Sequence, residues 1–332
     1  MLLDKGVEGM LPATFHPPRA TPLHTFEIGD AGDRGRGMFA LRDLPVGALI
    51  LVEHPVIVAP YLVGLNVPLV DIYANLFDRL PHGIRIELSQ LYDGTDHSLE
   101  DVIHLNALGI QLEVPDVPRP ELTTHRAVFL NTSRCNHSCG PNAQWEWDIS
   151  TFSLYLAVVR PIMKGDEITI HYTSCTRPRH ERQAILRSQY GFICRCSYCN
   201  LPSEDAVHHS DNSRMALGHF WNSLPSFEGW CLDPTLPYDM LIKLHVEALR
   251  TIKQEGLQVL DAERHVDAIA MCYGALADTN MFRIWIERVR DANADVDPSR
   301  AVVFAKWLSN PTSFPAWSWK KTFCGRKKNV LV

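Results

Sequence analysis

The sequence predicts a mixed α/β fold in two parts. Three observations carry that reading. Short apolar runs broken by glycine and proline recur from Phe39 to Tyr172, and runs of that length and punctuation read as strands of small sheets. A looser stretch from Pro60 to about Arg119 interrupts them with helical rather than alternating spacing. Beyond Pro202 the composition turns hydrophilic, and residues 213–308 then carry helical stripes.

The bulk numbers fit that architecture. With 332 residues, 46% hydrophobic and 21% charged, the chain can bury a core for one large or two medium domains. A net charge of −6 argues against the broadly basic surface of a dedicated nucleic-acid-binding domain. No apolar run reaches membrane-spanning length, so no membrane helix is expected. Residues 1–18 carry Asp4, Glu8 and scattered proline, and do not read as a signal peptide. The nine cysteines are an odd number, so disulfides are not expected and clustered cysteines read as metal ligands. Together these features point to the cytosol or nucleus.

Taken in order, residues 1–20 read as irregular, rich in proline and glycine. Phe39-Ala40, Leu49–Val52 and Val56–Val58 are strand runs separated by Pro45 and Gly47. Val70, Tyr73, Leu76, Phe77 and Leu80 form a helical stripe over Leu69–Leu80. Ser98-x-x-Asp101 has the form of a capping box and opens a helix toward Leu108. Residues 115–120 are a proline-rich break. Ala127–Leu130, Ser153–Val159 and Ile168–Tyr172 are strands, and Arg179–Gln189 is a short charged helix. A boundary falls after Pro202. Further on, Met240–Gln254, with Leu241, Leu244, Leu249 and Ile252 on one face, and Val266–Arg290 read as helices. His208-His209-x-Asp211 has metal-binding residue types but reads as a solvated linker. The basic tail, Lys320-Lys321 and Arg326-Lys327-Lys328, reads as solvated, with a nuclear-import role as the alternative.

Four short motifs carry chemistry. Gly35-Arg36-Gly37 lies in a run that loosely matches G-x-G-x-x-A. A dinucleotide-binding turn would need a helix directly after the glycines, whereas Leu44-Pro45-x-Gly47 follows within ten residues. The glycines instead allow close approach of backbone to a ligand, or simply turn the chain. Asn136-His137-Ser138-Cys139 with Pro141-Asn142, and Gly165–Tyr172, are the second and third. Cys194-x-Cys196-x-x-Cys199 is the fourth, three thiols within six positions. Each has an ordinary structural reading: a turn, a core tyrosine, a buried thiol.

In that order and at those distances the four motifs resemble the SET domain, the fold of most protein-lysine methyltransferases that use S-adenosylmethionine (SAM). The resemblance covers residues 20–200 and leans toward the SMYD-like branch. It implies a SET fold of short β-sheets with a pseudo-knot, in which Asn136-His137 is tucked under the segment ending in Tyr172, a threading rare among folds. The implied layout is an irregular segment 1–20; a SET domain 21–200 with a helical insert 59–125 and a post-SET zinc loop 190–200; and an α-helical region 201–332. SMYD proteins carry a MYND zinc finger at the insert. Residues 59–125 contain no cysteine, so the chain resembles the compact MYND-less type found in filamentous fungi.

The resemblance also assigns roles. Arg34, Gly35, Arg36 and Gly37 would lie against the methionine part of SAM, with the two arginines near its carboxylate. Asn136 and His137 would bind the cofactor, and Phe192 would pack on its adenine. Tyr172 would be the catalytic residue next to the cofactor, with Tyr190 lining the lysine channel. Asn106–Ile110 would supply a further wall, with Ile110 where an aromatic is usual. His171 stands where SET domains often have aspartate. Cys139 would join Cys194, Cys196 and Cys199 around one structural zinc, closed to further ligands. Cys135, Cys175, Cys231, Cys272 and Cys324 show no ligand spacing.

The function so implied is SAM-dependent methylation of a lysine on a histone tail or another protein. The expected enzyme is a monomer without nucleic-acid or membrane partners, placed in nucleus or cytoplasm. Two other classes fit the sequence less well. A SET-fold module for chromatin or protein interaction, having lost catalysis, would show a broken tyrosine or Asn-His motif, and both are intact. A zinc-dependent nucleic-acid binder would want basic, aromatic-interleaved surfaces and paired zinc knuckles, against the acidic balance and single cysteine cluster seen.

Overall fold

The computed structural model describes residues 11–12, 14–60, 69–91, 98–112, 123–260, 262–293 and 298–326. The proline break at 115–120 and the Lys327-Lys328 end of the basic tail lie outside them. The chain divides into two compact units. One comprises Met1–Cys175 with Arg179–Asn200, the other Thr176–Pro178 with Leu201–Val332.

The first unit is built on three small sheets. Its elements are β1 (Phe26–Asp30), β2 (Arg36–Ala40), β3 (Leu49–Glu53), β4 (Ile57–Pro60), α1 (Leu69–Asp78), α2 (His82–Leu88), α3 (Leu99–Asn106), β5 (Leu108–Gln111), β6 (Thr124–Val128), β7 (Asn136–His137), β8 (Ala143–Asp148), β9 (Ser153–Val158), β10 (Glu167–Ile170) and α4 (Arg179–Tyr190). The strand orders are β1-β2-β10-β7, β3-β9-β8 and β4-β6-β5. Only the β7–β10 pairing is parallel among them, with Asn136 opposite Thr169 and His137 opposite Ile170. That register brings the Asn-His motif beside the run that ends in Tyr172.

Apolar side chains from all three sheets close one core, with Met38, Ile50, Ile110, Phe129, Leu154, Leu156 and Ile168 fully buried. Ile110 is thus a core residue on β5 and not part of an open wall. A second cluster packs Tyr73, Leu88 and Ile103 from the inserted helices against Val128. Ser98 caps α3 as its sequence indicates, its hydroxyl accepting from the Asp101 amide at 3.0 Å.

Four strands, β1, β5, β7 and β8, escape a reading by apolar runs. In β8 tryptophans alternate with Gln144 and Glu146 and polar character dominates, while β7 is only two residues long. One half-buried carboxylate organises the approach to β7. Glu53 accepts from the Asn131 and Thr132 amides at 2.8 and 2.9 Å, and from both their side chains. Four donors on one carboxylate fix the turn that delivers Cys135 and Asn136.

The second unit is helical: α5 (Glu204–Ser223), α6 (Phe227–Leu232), α7 (Met240–Gln254), α8 (Ala262–Ala275), α9 (Thr279–Asn293), α10 (Pro298–Ser309) and α11 (Trp319–Arg326). Three expectations are corrected here. His208 and His209 belong to α5, not to a linker, because Ser203 caps that helix by accepting from the Ala206 amide at 3.2 Å. The stretch Val266–Arg290 is two helices. Ala277 adopts φ +50° and the Asp278 carboxylate caps the Met281 amide at 3.1 Å, which ends one helix and starts the next. On α7 the buried face runs through Leu241, Ile242, His245, Ala248 and Ile252, while Leu244 is exposed. A buried histidine counted as polar had hidden that face.

No described helix is long and apolar enough to cross a membrane.

Candidate active site

The site assembles where β2, β7 and β10 meet. A tight turn over Gly32–Arg34 leads into β2, closed by Ala31 N–H to Gly35 O at 2.7 Å and Gly35 N–H to Gly32 O at 3.0 Å. Gly35 has φ +72° and ψ −128°, a conformation that side-chain-bearing residues rarely adopt. Gly37 serves a different need. A Cβ there would stand 2.6 Å from Glu167 Oε1 and 3.1 Å from Asn136 Nδ2. Glycine at 37 therefore makes room for the Glu167–Asn136 contact.

Asn136 Nδ2 donates to Glu167 Oε1 at 2.8 Å and to the Arg36 carbonyl at 3.2 Å. Both neighbours are pure acceptors, so the amide orientation is compelled and Oδ1 remains to accept. Glu167 Oε2 takes the Arg34 guanidinium at 2.5 Å. The Arg36 guanidinium lies along the hairpin at 3.5 Å from the Ile28 carbonyl. Asn142 adds another cross-link: its Nδ2 donates to the Glu167 carbonyl and its Oδ1 accepts from the Thr169 amide, each at 2.8 Å.

Tyr172 sits two residues past the end of β10. Its hydroxyl donates to the Cys135 carbonyl at 2.7 Å and its amide to His137 Nδ1 at 3.0 Å. Its ring lies 4.9 Å from Tyr190, 6.4 Å from Phe192 and 5.4 Å from His137, centroid to centroid. Burial pushes the Tyr172 hydroxyl above the usual phenol range, so it stays protonated at neutral pH. Desolvation holds the His137 ring down to about 4, so it is neutral. His171, standing where SET domains often have aspartate, leaves a buried Nδ1 with no partner among the described residues.

The cysteines converge. The sulfurs of Cys139, Cys194, Cys196 and Cys199 all lie within 4.8 Å of one another, and three of the four residues are buried. Four thiolates around a zinc ion at about 2.3 Å would be about 3.8 Å apart, so the set fits the ion with small closure. Mutual hydrogen bonding within the cluster holds Cys196 and Cys199 below the usual thiol range and, with burial, pushes Cys139 and Cys194 above it, so the four thiols titrate as one set. The fully buried Arg182 brings Nη2 to 4.0 Å from Cys199 Sγ. A positive guanidinium beside four sulfurs is chemically apt, because four thiolates and Zn²⁺ carry a net charge of −2.

Aromatic packing ties this loop to the Asn-His segment. The Tyr198 ring lies so close over Gly140 that a Cβ there would come within 2.1 Å of it. Arg160 donates to the carbonyls of Gly140 and Pro141 and to the Tyr198 hydroxyl.

The structure thus brings Tyr172, Tyr190, Phe192 and His137 together, the four cysteines together, and Asn136 onto the turn at 35–37. It does not leave Arg34 unpaired, and it engages both nitrogens of His137 inside the protein, Nε2 standing 3.3 Å from Cys139 Sγ. Sequence reasoning passed over Glu167, Asn142, Glu53, Arg182, Arg160 and Tyr198. Glu167, Asn142 and Tyr198 lay inside motifs already singled out; Glu53, Arg182 and Arg160 had no local signal.

Residues 35–173 match the family model of the SET domain. They form a SET domain. The match ends before the cysteine loop, so that loop and the helical unit extend beyond it. Among curated relatives, the chain is similar to "Protein-lysine N-trimethyltransferase SMYD5" of Gallus gallus, 39% identical over 94 residues, 27% of this chain and 22% of that one. The same-named protein of Danio rerio is 44% identical over 82 residues, 24% and 20% of the two chains. "Histone-lysine N-methyltransferase set5" of Schizosaccharomyces pombe is 28% identical over 203 residues, 59% of this chain and 56% of the relative. The chain therefore spans about a fifth of the vertebrate relatives' length and 56% of the yeast one. Within the SET domain, no cysteine lies between 59 and 125, so no MYND finger is encoded there.

Proposed function

We propose that this SET domain transfers a methyl group from SAM to a lysine ε-amine of a histone or another protein. The observation that carries the reading is the aromatic corner of Tyr172, Tyr190 and Phe192, packed on the ring of His137, the residue that follows the compelled Asn136 carboxamide on β7. The relatives' names, one a protein-lysine and one a histone-lysine methyltransferase, support the same class.

SAM bound at the 35–37 turn would supply a sulfonium-activated methyl group. The protein's part is positioning and desolvation. Asn136 Oδ1, free to accept, would take the ammonium of the amino-acid moiety, and Phe192 would offer an apolar face to the adenine. The two arginines flank the turn, with Arg34 drawn to Glu167. A free lysine has a pKa of about 10.4 and attacks only when neutral. The apolar walls of Tyr172 and Tyr190 disfavour its ammonium form, and a drop of two units corresponds to about 2.7 kcal/mol. Tyr172, protonated and held on the Cys135 carbonyl, orients the amine through its oxygen and is not a base.

Cys139, Cys194, Cys196 and Cys199 would hold one zinc ion, a closed four-sulfur set that staples the 190–200 loop to the Asn-His segment and leaves no coordination position for chemistry. We assign residues 21–200 to the SET and post-SET part, 201–332 to a helical region, and the working protein to a monomer in nucleus or cytoplasm.

The test is methyl transfer from labelled SAM to core histones and to a cell lysate, intact protein against Tyr172→Phe. Label on a defined band that the variant loses supports the enzyme. SAM binding without label above the variant in either pool overturns the proposal for those substrates.

A further inference from the structure

His137 is fixed by both ring nitrogens. Nδ1 lies 3.0 Å from the Tyr172 amide nitrogen, and that amide can only donate, so Nδ1 accepts. A neutral imidazole that accepts at Nδ1 carries its proton on Nε2. Nε2 lies 3.3 Å from Cys139 Sγ, so the proton points at the sulfur. The backbone of one segment thereby sets the tautomer that faces the other.

The place of this contact in the sheet explains it. β7 pairs with β10 through His137 opposite Ile170, and Ser138 N–H continues the ladder to the Ile170 carbonyl at 2.9 Å. The strand stops there, yet Tyr172 is two residues further on. Its amide bonds to an imidazole where a ladder would offer a carbonyl. The ring is 5% exposed and tilts against Tyr172 and Phe192 at 5.4 and 6.1 Å. No ring nitrogen is left for a cofactor.

We propose that His137 is a positioning residue that couples the cysteine cluster to Tyr172. Its Nε2–H orients the Cys139 thiolate toward the ion, and its Nδ1 holds the Tyr172 backbone. Filling the metal site therefore fixes where the Tyr172 ring stands. The sulfur that accepts the N–H gives less charge to the metal, and Arg182 does the same at Cys199 from 4.0 Å. This inference rests on the zinc and Tyr172 readings given under the proposed function.

The experiment separates the two bonds. In His137→Asn the side-chain oxygen takes the Nδ1 position, keeping the acceptor for Tyr172 and losing the donor to Cys139. In His137→Gln the amide nitrogen reaches the Nε2 position, keeping the donor and losing the acceptor. Three readouts are taken on the full chain: amide exchange of the peptide spanning Tyr172, the rate of zinc transfer to a chromophoric chelator, and the sulfur-to-metal charge-transfer band after cobalt substitution. His137→Asn should lose zinc about tenfold faster and shift the cobalt band. His137→Gln should keep the band and exchange the Tyr172 amide faster. Intact protein should exchange that amide faster without metal than with it, a comparison that needs no variant to fold. Equal exchange with and without metal, or an unmoved band and zinc rate in His137→Asn, overturns the coupling. An intact protein that takes up no metal overturns the zinc reading and the coupling together. Metal-dependent exchange at Tyr172 without methyl transfer upholds the coupling and overturns the activity alone.

Discussion

Glu167 holds Asn136 and Arg34 with its two carboxylate oxygens, at 2.8 and 2.5 Å. One side chain on β10 thus spans the Asn-His strand and the glycine turn, the two segments that would face the cofactor from either side. The carboxylate is one-tenth exposed and the guanidinium about half, so the Asn136 bond is the better shielded of the two. Glu167→Gln should weaken SAM binding about tenfold, roughly 1.4 kcal/mol, because the amide cannot pair with Arg34 and presents a donor to a donor. Calorimetric titration with SAM measures it. Tighter binding in the variant would mean that Arg34 serves the cofactor better when released, and would reverse the assignment of Glu167.

How far the sequence reached follows from the range of the forces involved. Strands such as β3 and β9 were legible because burial on both faces makes them apolar runs. β7 was not, since two residues carry no period, yet its motif marked the site more surely than any strand pattern. The cysteine set was legible from spacing alone for Cys194, Cys196 and Cys199, and Cys139 came through the family resemblance. What stayed hidden was long-range pairing. Glu53 serves Asn131 and Thr132 from 78 and 79 positions away, and nothing local in either segment announces the other. His137 was expected against the cofactor. Its ring nitrogens face Cys139 Sγ and the Tyr172 amide, contacts that the motif alone did not announce.

Metal removal gives the next prediction. The 190–200 loop contains no helix or strand beyond Tyr190, and its buried members are chiefly the cysteines themselves. Without an ion the sulfurs lose their common partner and the loop loses its anchor. Extended treatment with a strong chelator should lower thermal stability and expose the Arg195 bond to trypsin, since Arg195 is already on the surface. Zinc added back should restore both. An intact cleavage pattern after complete metal loss would show that Tyr198 and Arg160 hold the loop unaided.

That alternative has its own test at Gly140. Alanine there would put a methyl carbon 2.1 Å from the Tyr198 ring, far inside contact distance. The ring must move, and with it the 3.3 Å bond from Arg160 to the Tyr198 hydroxyl. Overpacking of this kind costs about 1–3 kcal/mol. For a unit of this size that is a fall of several degrees in Tm, at about 2–4 °C per kcal/mol. In a double-mutant cycle with Tyr198→Ala, most of the Gly140→Ala penalty should vanish, because the clash has lost its partner. Additive effects would place the cost in the backbone instead.

The helical unit carries a pH dependence independent of the site. His245 on α7 and His265 on α8 meet Nδ1 to Nδ1 at 3.0 Å, both buried, with Phe220 and Trp221 of α5 against them. The Arg264 guanidinium lies 4.1 Å over the Trp221 ring and adds positive charge nearby. Such a pair has room for one proton between its nitrogens, and a second charge would meet an imidazole and an arginine in an aromatic setting. Burial first, and the neighbouring His265 second, lower His245 to about 4. The unfolded chain binds the proton with a pKa of about 6.5. Between those values the unfolded state holds more protons, so stability is full above about pH 6.5 and is lost as pH falls toward 4. At pH 5 the loss should be on the order of 1–2 kcal/mol. Thermal denaturation at pH 7.5 and pH 5 measures it, and His245→Gln, which keeps a hydrogen-bonding side chain without a titrating one, should flatten the difference. An equal pH effect in the variant would assign the acid sensitivity to other groups.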